Sequence, residues 1–334
     1  MRPIEEVHPE LLHYTSIAGL RCILESRELW GTHARFLNDG AELIAFKEYL
    51  PRIIRRSVRK GLTDLLQAQP GRQAVVDRFG GLEATIDEVI RGLIQGLYSA
   101  TLGESDPEPF AEPYITSFCT PTTQRQAEHG LLSQWRGYGK EGGYALVFDT
   151  AQLSKAMDEE GKRWPNLFLF GGDVLYSDAN DDEIQAEFGQ NLKAISEGFD
   201  RWLATSGKDA AALEPIYLNI LFVSCRYKHW GFSEEREVRI VAVPPNSQII
   251  DEMKRRRENP SVMPIHHIER NGQRVPTIHL FDSYKADGHS LPIRRIIVGP
   301  GGDRAARKSM VEGLASACNL EIPVTVSEIP YIYR

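Results

Sequence analysis

Leu11-Leu12-His13-Tyr14-Thr15-Ser16, continued by Ile17-Ala18-Gly19-Leu20-Arg21-Cys22-Ile23-Leu24-Glu25, Leu29-Trp30 and Phe36-Leu37-Asn38-Asp39, decides how this chain reads. Leu11 to Tyr14 suits a short strand. Thr15 or Ser16 can cap a helix, because a hydroxyl oxygen accepts an orphan N–H of the first turn. Leu20, Ile23 and Leu24 recur at helical spacing on one apolar face. Leu29 to Thr32 suits a second strand. A histidine thus stands at a strand end, just before a helix, with an Asn-Asp pair one structural unit later. His13 reads either as a satisfied packing residue or as a ligand-holding one, and the polar setting points to the second. Tyr14 beside it packs or assists. Asn38-Asp39 either caps the next helix or contacts a ligand.

Composition narrows the class. Of 334 residues, 42% are hydrophobic and 25% charged, as in globular proteins, with length for one large domain or two small ones. No run reaches the ~18 to 20 apolar residues of a membrane-spanning helix. Met1-Arg2-Pro3-Ile4-Glu5-Glu6 holds no apolar signal core, so a cytoplasmic protein without membrane contact is expected. Cys22, Cys119, Cys225 and Cys318 show no Cys-x-x-Cys spacing and read as free thiols rather than zinc ligands. The net charge of −7 argues against a general nucleic-acid binder, whose affinity comes from neutralising phosphates. Arg52, Arg55, Arg56, Arg59 and Lys60, and separately Lys254-Arg255-Arg256-Arg257, read as solvated faces or as guides for a polyanion.

Strand and helix patterns alternate along the chain. Ala41 to about Ala100 is helical in pattern, with a break at Gln69-Pro70-Gly71. Gly103 to Pro109 reads as a loop, Tyr114 to Cys119 as a strand, Leu131 to Tyr138 as a short helix and Tyr144 to Phe148 as a buried strand. Asp181 to Thr205 and Leu213 to Tyr227 read as helices. Glu237 to Val243 is a β-branched strand, and Arg255 to Pro264 a mobile loop. Asn271-Gly272 marks a hairpin between His266–Glu269 and Pro276–Phe281. Ile293 to Val298, a helix from Asp303 to Cys318 and Val324 to Ser327 close the chain. Local patterning gives an α+β fold, expected as a single domain over 1–334 with helical insertions at about 41–110 and 178–227.

Glu235-Arg236-Glu237 carries the sharpest chemistry. Residues two apart in a strand share a face, so both carboxylates can point into one cleft. Like charges that close raise one pKa, and Arg239 opposes the rise. The plainer reading is an exposed strand start. Trp135 and Tyr138, three apart on a helix, are core aromatics or a stacking wall for a base, with Tyr144 as competitor. Gly299-Pro300-Gly301-Gly302-Asp303 lacks a Walker lysine and reads as a tight turn capped by Asp303. His266-His267 points to opposite strand faces, a poor metal pair, and no metal is expected.

These segments carry a family resemblance. The opening stretch resembles the first motif of the ADP-ribosyltransferase superfamily, where a strand-borne His holds the adenosine side of NAD. More closely, the chain resembles the bacterial domain of unknown function 2971 family. Ser133-Gln134-Trp135-Arg136-Gly137-Tyr138, followed by Gly143-Tyr144-Ala145-Leu146-Val147-Phe148-Asp149, is similar to its Trp-x-x-Tyr helix and Gly-initiated strand. Val174-Leu175-Tyr176-Ser177-Asp178 resembles its central strand. Lys228-His229-Trp230 with Glu235-Arg236-Glu237-Val238-Arg239 resembles its Trp and Glu-x-Glu-x-Arg segment. Ile296 to Pro300 and Ser327 to Tyr331 resemble its closing strands.

The resemblance implies an ADP-ribosyltransferase-like split β-sheet with a cleft and NAD as substrate. Glu237, then Glu235, would bond the nicotinamide-ribose 2′-OH and steady an oxocarbenium-like transition state. His13, Tyr14, Thr15, Asn38 and Arg239 would hold NAD, and Trp135, Tyr138 or Tyr144 would stack. Thr116-Ser117 stands where some relatives carry Ser-Thr-Ser. The implied activity is NAD-dependent ADP-ribosyl transfer, or NAD glycohydrolysis, with a nucleic-acid or protein acceptor and a toxin or phage-defence role. The alternative is a non-catalytic nucleotide- or partner-binding module. The discriminator is Glu237: without a cleft shared with His13, catalysis loses its main support. A third reading, a nucleic-acid enzyme, uses the stripe from Arg52 to Lys60 for docking.

Overall fold

The computed structural model describes residues 3–39, 43–102, 111–138, 142–205, 207–270, 272–282 and 288–331. Its strands are β1 (Glu10–Thr15), β2 (Leu29–His33), β3 (Tyr114–Cys119), β4 (Tyr144–Asp149), β5 (Phe168–Asp173), β6 (Leu175–Tyr176), β7 (Tyr227–Lys228), β8 (Glu237–Val243), β9 (Ile265–Arg270), β10 (Gln273–Leu280), β11 (Ile293–Val298) and β12 (Val324–Val326). Its α-helices are α1 (Ile4–Val7), α2 (Ile17–Ser26), α3 (Leu50–Ala68), α4 (Gln73–Arg78), α5 (Leu82–Leu102), α6 (Gln124–His129), α7 (Leu132–Tyr138), α8 (Thr150–Arg163), α9 (Asp181–Ala204), α10 (Leu213–Ser224), α11 (Ser247–Arg255) and α12 (Arg304–Ala317). The α+β class is as expected. The loop read at 103–109 lies outside the described residues, as do Ala41 and Asn271.

The chain forms two compact units. One joins Leu37–Glu112 to Leu175–Trp230. The other joins Arg2–Phe36, Pro113–Val174 and Gly231–Arg334.

The second unit is built on one mixed sheet in the order β12-β11-β4-β1-β3-β2-β10-β9, with β8 also on β3 and β5 on β8. β11 and β12 run parallel, and the other pairs are antiparallel. The sheet forks at β3. One edge of β3 pairs with β8 from Tyr114↔Ala242 to Cys119↔Glu237. The other edge is shared, by β1 at Leu12↔Cys119 and by β2 at Thr32↔Ile115 and His33↔Tyr114.

Strand alternation gives the sheet two distinct faces. Leu11, Phe118, Leu146, Phe148, Val238, Ile240 and Ile296 fall in one core cluster with Leu20 and Leu24 of α2, Leu153 of α8 and Val311 of α12. Leu12, Tyr14, Cys119, Ala145, Val147 and Ile297 fall in a second, with Leu131 and Trp135. Burying such apolar surface is the main favourable term in folding, roughly 25 cal/mol per Å². α2 starts as read: the Ser16 hydroxyl, not that of Thr15, accepts from Gly19 N–H at 3.2 Å.

In the helical unit, Ile54 and Val58 of α3, Ile90 and Ile94 of α5, Phe188, Ile195 and Phe199 of α9 and Ile220 of α10 are buried. Asn180 and Glu183 close a reciprocal cap on α9. Carboxylates face the basic stripe of α3: Asp181 on Arg52 at 3.6 Å, Glu83 on Arg55 at 3.3 Å and on Arg59 at 2.5 Å, and Asp64 on Lys60 at 3.5 Å. The stripe is therefore largely neutralised, and the solvated-face reading fits it.

Several sequence expectations are corrected. Val174 to Asp178 forms no central strand: β6 spans two residues and pairs with β7, while β5 is the neighbour of β8. The expected helix from Leu213 to Tyr227 ends at Ser224, because Tyr227 joins β7. Among the described residues, the helical turn that follows Asn38-Asp39 is Ala45–Glu48, and its cap position is Ile44.

Candidate functional site

Glu237 opens β8 and is 6% exposed; Arg239, two residues on, is 1% exposed. Their spacing sets both on one sheet face. Arg239 Nε donates to Glu237 Oε1 at 2.8 Å and Nη2 to Oε2 at 2.9 Å, a bidentate pair that fixes the carboxylate in plane with the guanidinium. Register assigns the face: Glu237 lies opposite Cys119, and Cys119 opposite Leu12. Glu237 therefore belongs to the Leu12, Tyr14 and Trp135 side of the sheet.

His13 belongs to the other side. It pairs with Leu146 across β1 and β4, and its ring lies 5.6 Å from that of Phe118. At the fork, where β1 has left β3, its Nδ1–H donates to the Ser117 carbonyl at 2.9 Å. Burial pulls the His13 pKa down, with this bond opposing. So β3 receives His13 at Ser117 and Glu237 at Cys119, but on opposite faces. The shared cleft expected for them is not what the register gives.

Glu235 is corrected as well. It ends a 3₁₀ segment, Trp230–Glu235, before β8 begins. Arg236 follows with φ 44°, a left-handed backbone uncommon for a residue with a side chain. The period-two argument needs an unbroken strand, so it does not apply to Glu235 and Glu237.

The aromatics are mostly packing residues. Trp135 is 0% exposed, and its indole N–H donates to the His129 carbonyl at 2.9 Å. The Tyr14 ring meets Trp135 edge-on, with centroids 4.7 Å apart. The Tyr14 hydroxyl accepts from Leu131 N–H at 2.7 Å. Burial raises the Tyr14 pKa well above its usual value. Burial also pushes the Cys119 thiol up, and the carboxylates of Glu235 and Glu237 add to the rise. Tyr144 is buried on the opposite face, under the Arg307 guanidinium at 4.9 Å. A ring locked in the core offers no face to a ligand, which leaves Tyr138, 39% exposed, as the only one of the three open to stacking. Thr15 closes β1 half-buried, while Asn38 is exposed in the helical unit.

A cleft of about 540 Å³ adjoins Glu235, lined by Gln126, Leu131, Ser133, Arg136, Glu234 and Arg236. The sequence reading missed Arg136 and Arg236, although both sit inside quoted motifs. A larger cleft, about 720 Å³, includes His8, Glu10, Arg294 and Arg295. There Glu10 takes Arg295 at 2.7 Å, and Asp149 takes Arg294 at 2.6 Å. The Arg295 hydrogen bond, against some desolvation, holds the Glu10 pKa below its usual value.

No curated protein and no solved structure matches the chain. Residues 134–240, which hold Trp135, Tyr138, Tyr144, Glu235, Glu237 and Arg239, match the family model described as a protein of unknown function (DUF2971), and this match supports a place for the chain in that family.

Proposed function

We propose that this chain is a nucleotide-binding module, with NAD as the first ligand to test, and that Glu237 is a structural rather than a catalytic residue. The Glu237–Arg239 pair carries the reading. A carboxylate that steadies an oxocarbenium-like ribose must offer an oxygen and an uncompensated charge to the sugar. Both Glu237 oxygens are engaged by a buried guanidinium, and breaking such a pair costs several kcal/mol. The opposite placement of His13 points the same way. The nucleotide part rests on the resemblance of the opening segment to the ADP-ribosyltransferase superfamily, with a polar cleft beside the Glu-x-Glu-x-Arg segment.

One observation favours the transferase or glycohydrolase as a second reading. Glu235 is half-buried, and its neighbours Glu234 and Arg236 both line that cleft, so an NAD-cleaving enzyme would use Glu235.

The test measures NAD binding by calorimetry and nicotinamide release, with and without cell lysate as acceptor pool. The expected outcome is saturable binding with no release above buffer. Release that disappears in Glu235→Gln overturns the proposal in favour of the second reading. Neither binding nor release removes the nucleotide reading.

A further inference from the structure

We propose that Arg136 and Arg236 form a clasp for the pyrophosphate of a dinucleotide, in the cleft of about 540 Å³ beside Glu235. The proposal rests on the nucleotide-binding reading and gives it a subsite.

Four observations carry it. Arg136 and Arg236 line one cleft from distant parts of the chain, and among the described residues neither has a carboxylate within ion-pair distance. Each is held instead by a neutral group. Arg236 Nη1 donates to Thr122 Oγ1 and, at 3.3 Å, to Gln126 Oε1. The Arg136 guanidinium lies over the Tyr331 ring at 5.4 Å. Neutral supports orient a guanidinium and leave its charge intact, whereas the arginines of the larger cleft are spent on Glu10 and Asp149.

The backbone at Arg236 is the third observation. Its φ of 44° is strained for a side-chain-bearing residue, and such strain collects at ligand sites when the surroundings enforce it. Here they do: the Arg236 carbonyl accepts from Thr120 N–H at 3.1 Å and from the Thr120 hydroxyl at 3.4 Å. The kink turns Arg236 out of the β8 ladder and lets it line the cleft.

The fourth is the cleft's mixed chemistry. Arginine forks bind phosphate oxygens bidentately. Glu234 and Ser133 line the same space and can accept sugar hydroxyls. Two cations and one carboxylate line the cleft, with Glu235 beside it; this mixture suits phosphate next to ribose better than a long polyanion, which the carboxylates would repel.

The test is calorimetry at low and high salt with pyrophosphate, NAD and unphosphorylated adenosine, on wild type, Arg136→Gln, Arg236→Gln and Arg236→Gly. Glycine accepts a positive φ, so Arg236→Gly removes the charge without strain. Thermal melting confirms that each variant is folded. Wild type is expected to bind pyrophosphate and NAD, more weakly at high salt, and each variant to lose about tenfold or more, the scale of one charged hydrogen bond. Adenosine binding is expected to be unaffected. NAD binding that all three variants retain overturns the clasp and leaves the nucleotide reading standing. Pyrophosphate binding lost in the variants, without NAD binding by wild type, keeps an anion site and overturns the dinucleotide. No binding of either ligand overturns both.

Discussion

Glu237 and Arg239 show how one pair of side chains decides between chemistry and structure. Their spacing of two was legible, and so was the arginine's pull on the carboxylate. The sheet face was not, because it depends on which residue of β3 stands opposite Glu237, a pairing made across more than a hundred residues of chain. Nor was the break at Arg236, since a left-handed arginine carries no compositional mark as glycine does. Glu237→Ala is expected to destabilise the protein by about 3 kcal/mol, because it strips a buried guanidinium of its bidentate partner. The combined Glu237→Leu, Arg239→Met variant is expected to lose less than the single change, since apolar replacement of both partners removes the stranded charge. Urea unfolding compares them. A single variant with wild-type stability would mean that the pair contributes nothing, and Glu237 would again be a candidate for catalysis.

Elements were read where their periodicity is clean and missed where a polar or flexible residue interrupts it. β1, α2, β3, β4, α9 and β8 follow their apolar patterns. β5 escaped because Gly171-Gly172 occupies its middle and Phe168 is 39% exposed. α8 escaped because Glu160 sits on its inner face at 1% exposure, where its carboxylate accepts Phe281 N–H at 3.2 Å. The pattern of α7 is legible, but the full burial of its tryptophan is not. Trp135 is wedged between two glycines: a Cβ on Gly130 would lie 2.7 Å from the indole, and one on Gly299 2.8 Å from it. Gly130 also has φ 78° and ψ −179°, a region essentially closed to other residues. Gly130→Ala is therefore expected to cost about 3 kcal/mol or more, adding backbone strain to overpacking. Indole fluorescence during urea unfolding reads it. An unfolding free energy within about 0.5 kcal/mol of wild type (roughly the size of a neutral surface change) would show that Trp135 is not wedged, and would restore it as a stacking candidate.

At the scale of the molecule, two sequence-distant helical segments collect into one unit and three chain segments build the other, an arrangement that local patterning cannot supply because it is made of non-local contacts. Histidines buried by that folding give stability a common pH dependence. Burial, aided by Arg35, pulls the His33 pKa down to about 4. Burial lowers that of His13 and, together with the stacked His266, that of His279. In the unfolded chain each titrates near 6.5. Below that pH the unfolded state binds protons that the folded state refuses, so stability falls as pH falls. For His33 the loss runs from pH 6.5 down to about 4 and reaches about 2 kcal/mol at pH 5; His13 and His279 add in the same direction. His33→Asn keeps an acceptor for the Arg35 N–H, which His33 Nδ1 now takes at 3.2 Å, and does not titrate. Urea unfolding at pH 7.5 and pH 5 is expected to show a smaller loss in this variant than in wild type, by about 2 kcal/mol. Equal losses would mean that His33 takes up its proton as readily folded as unfolded, and the acid sensitivity would then belong to the other buried histidines.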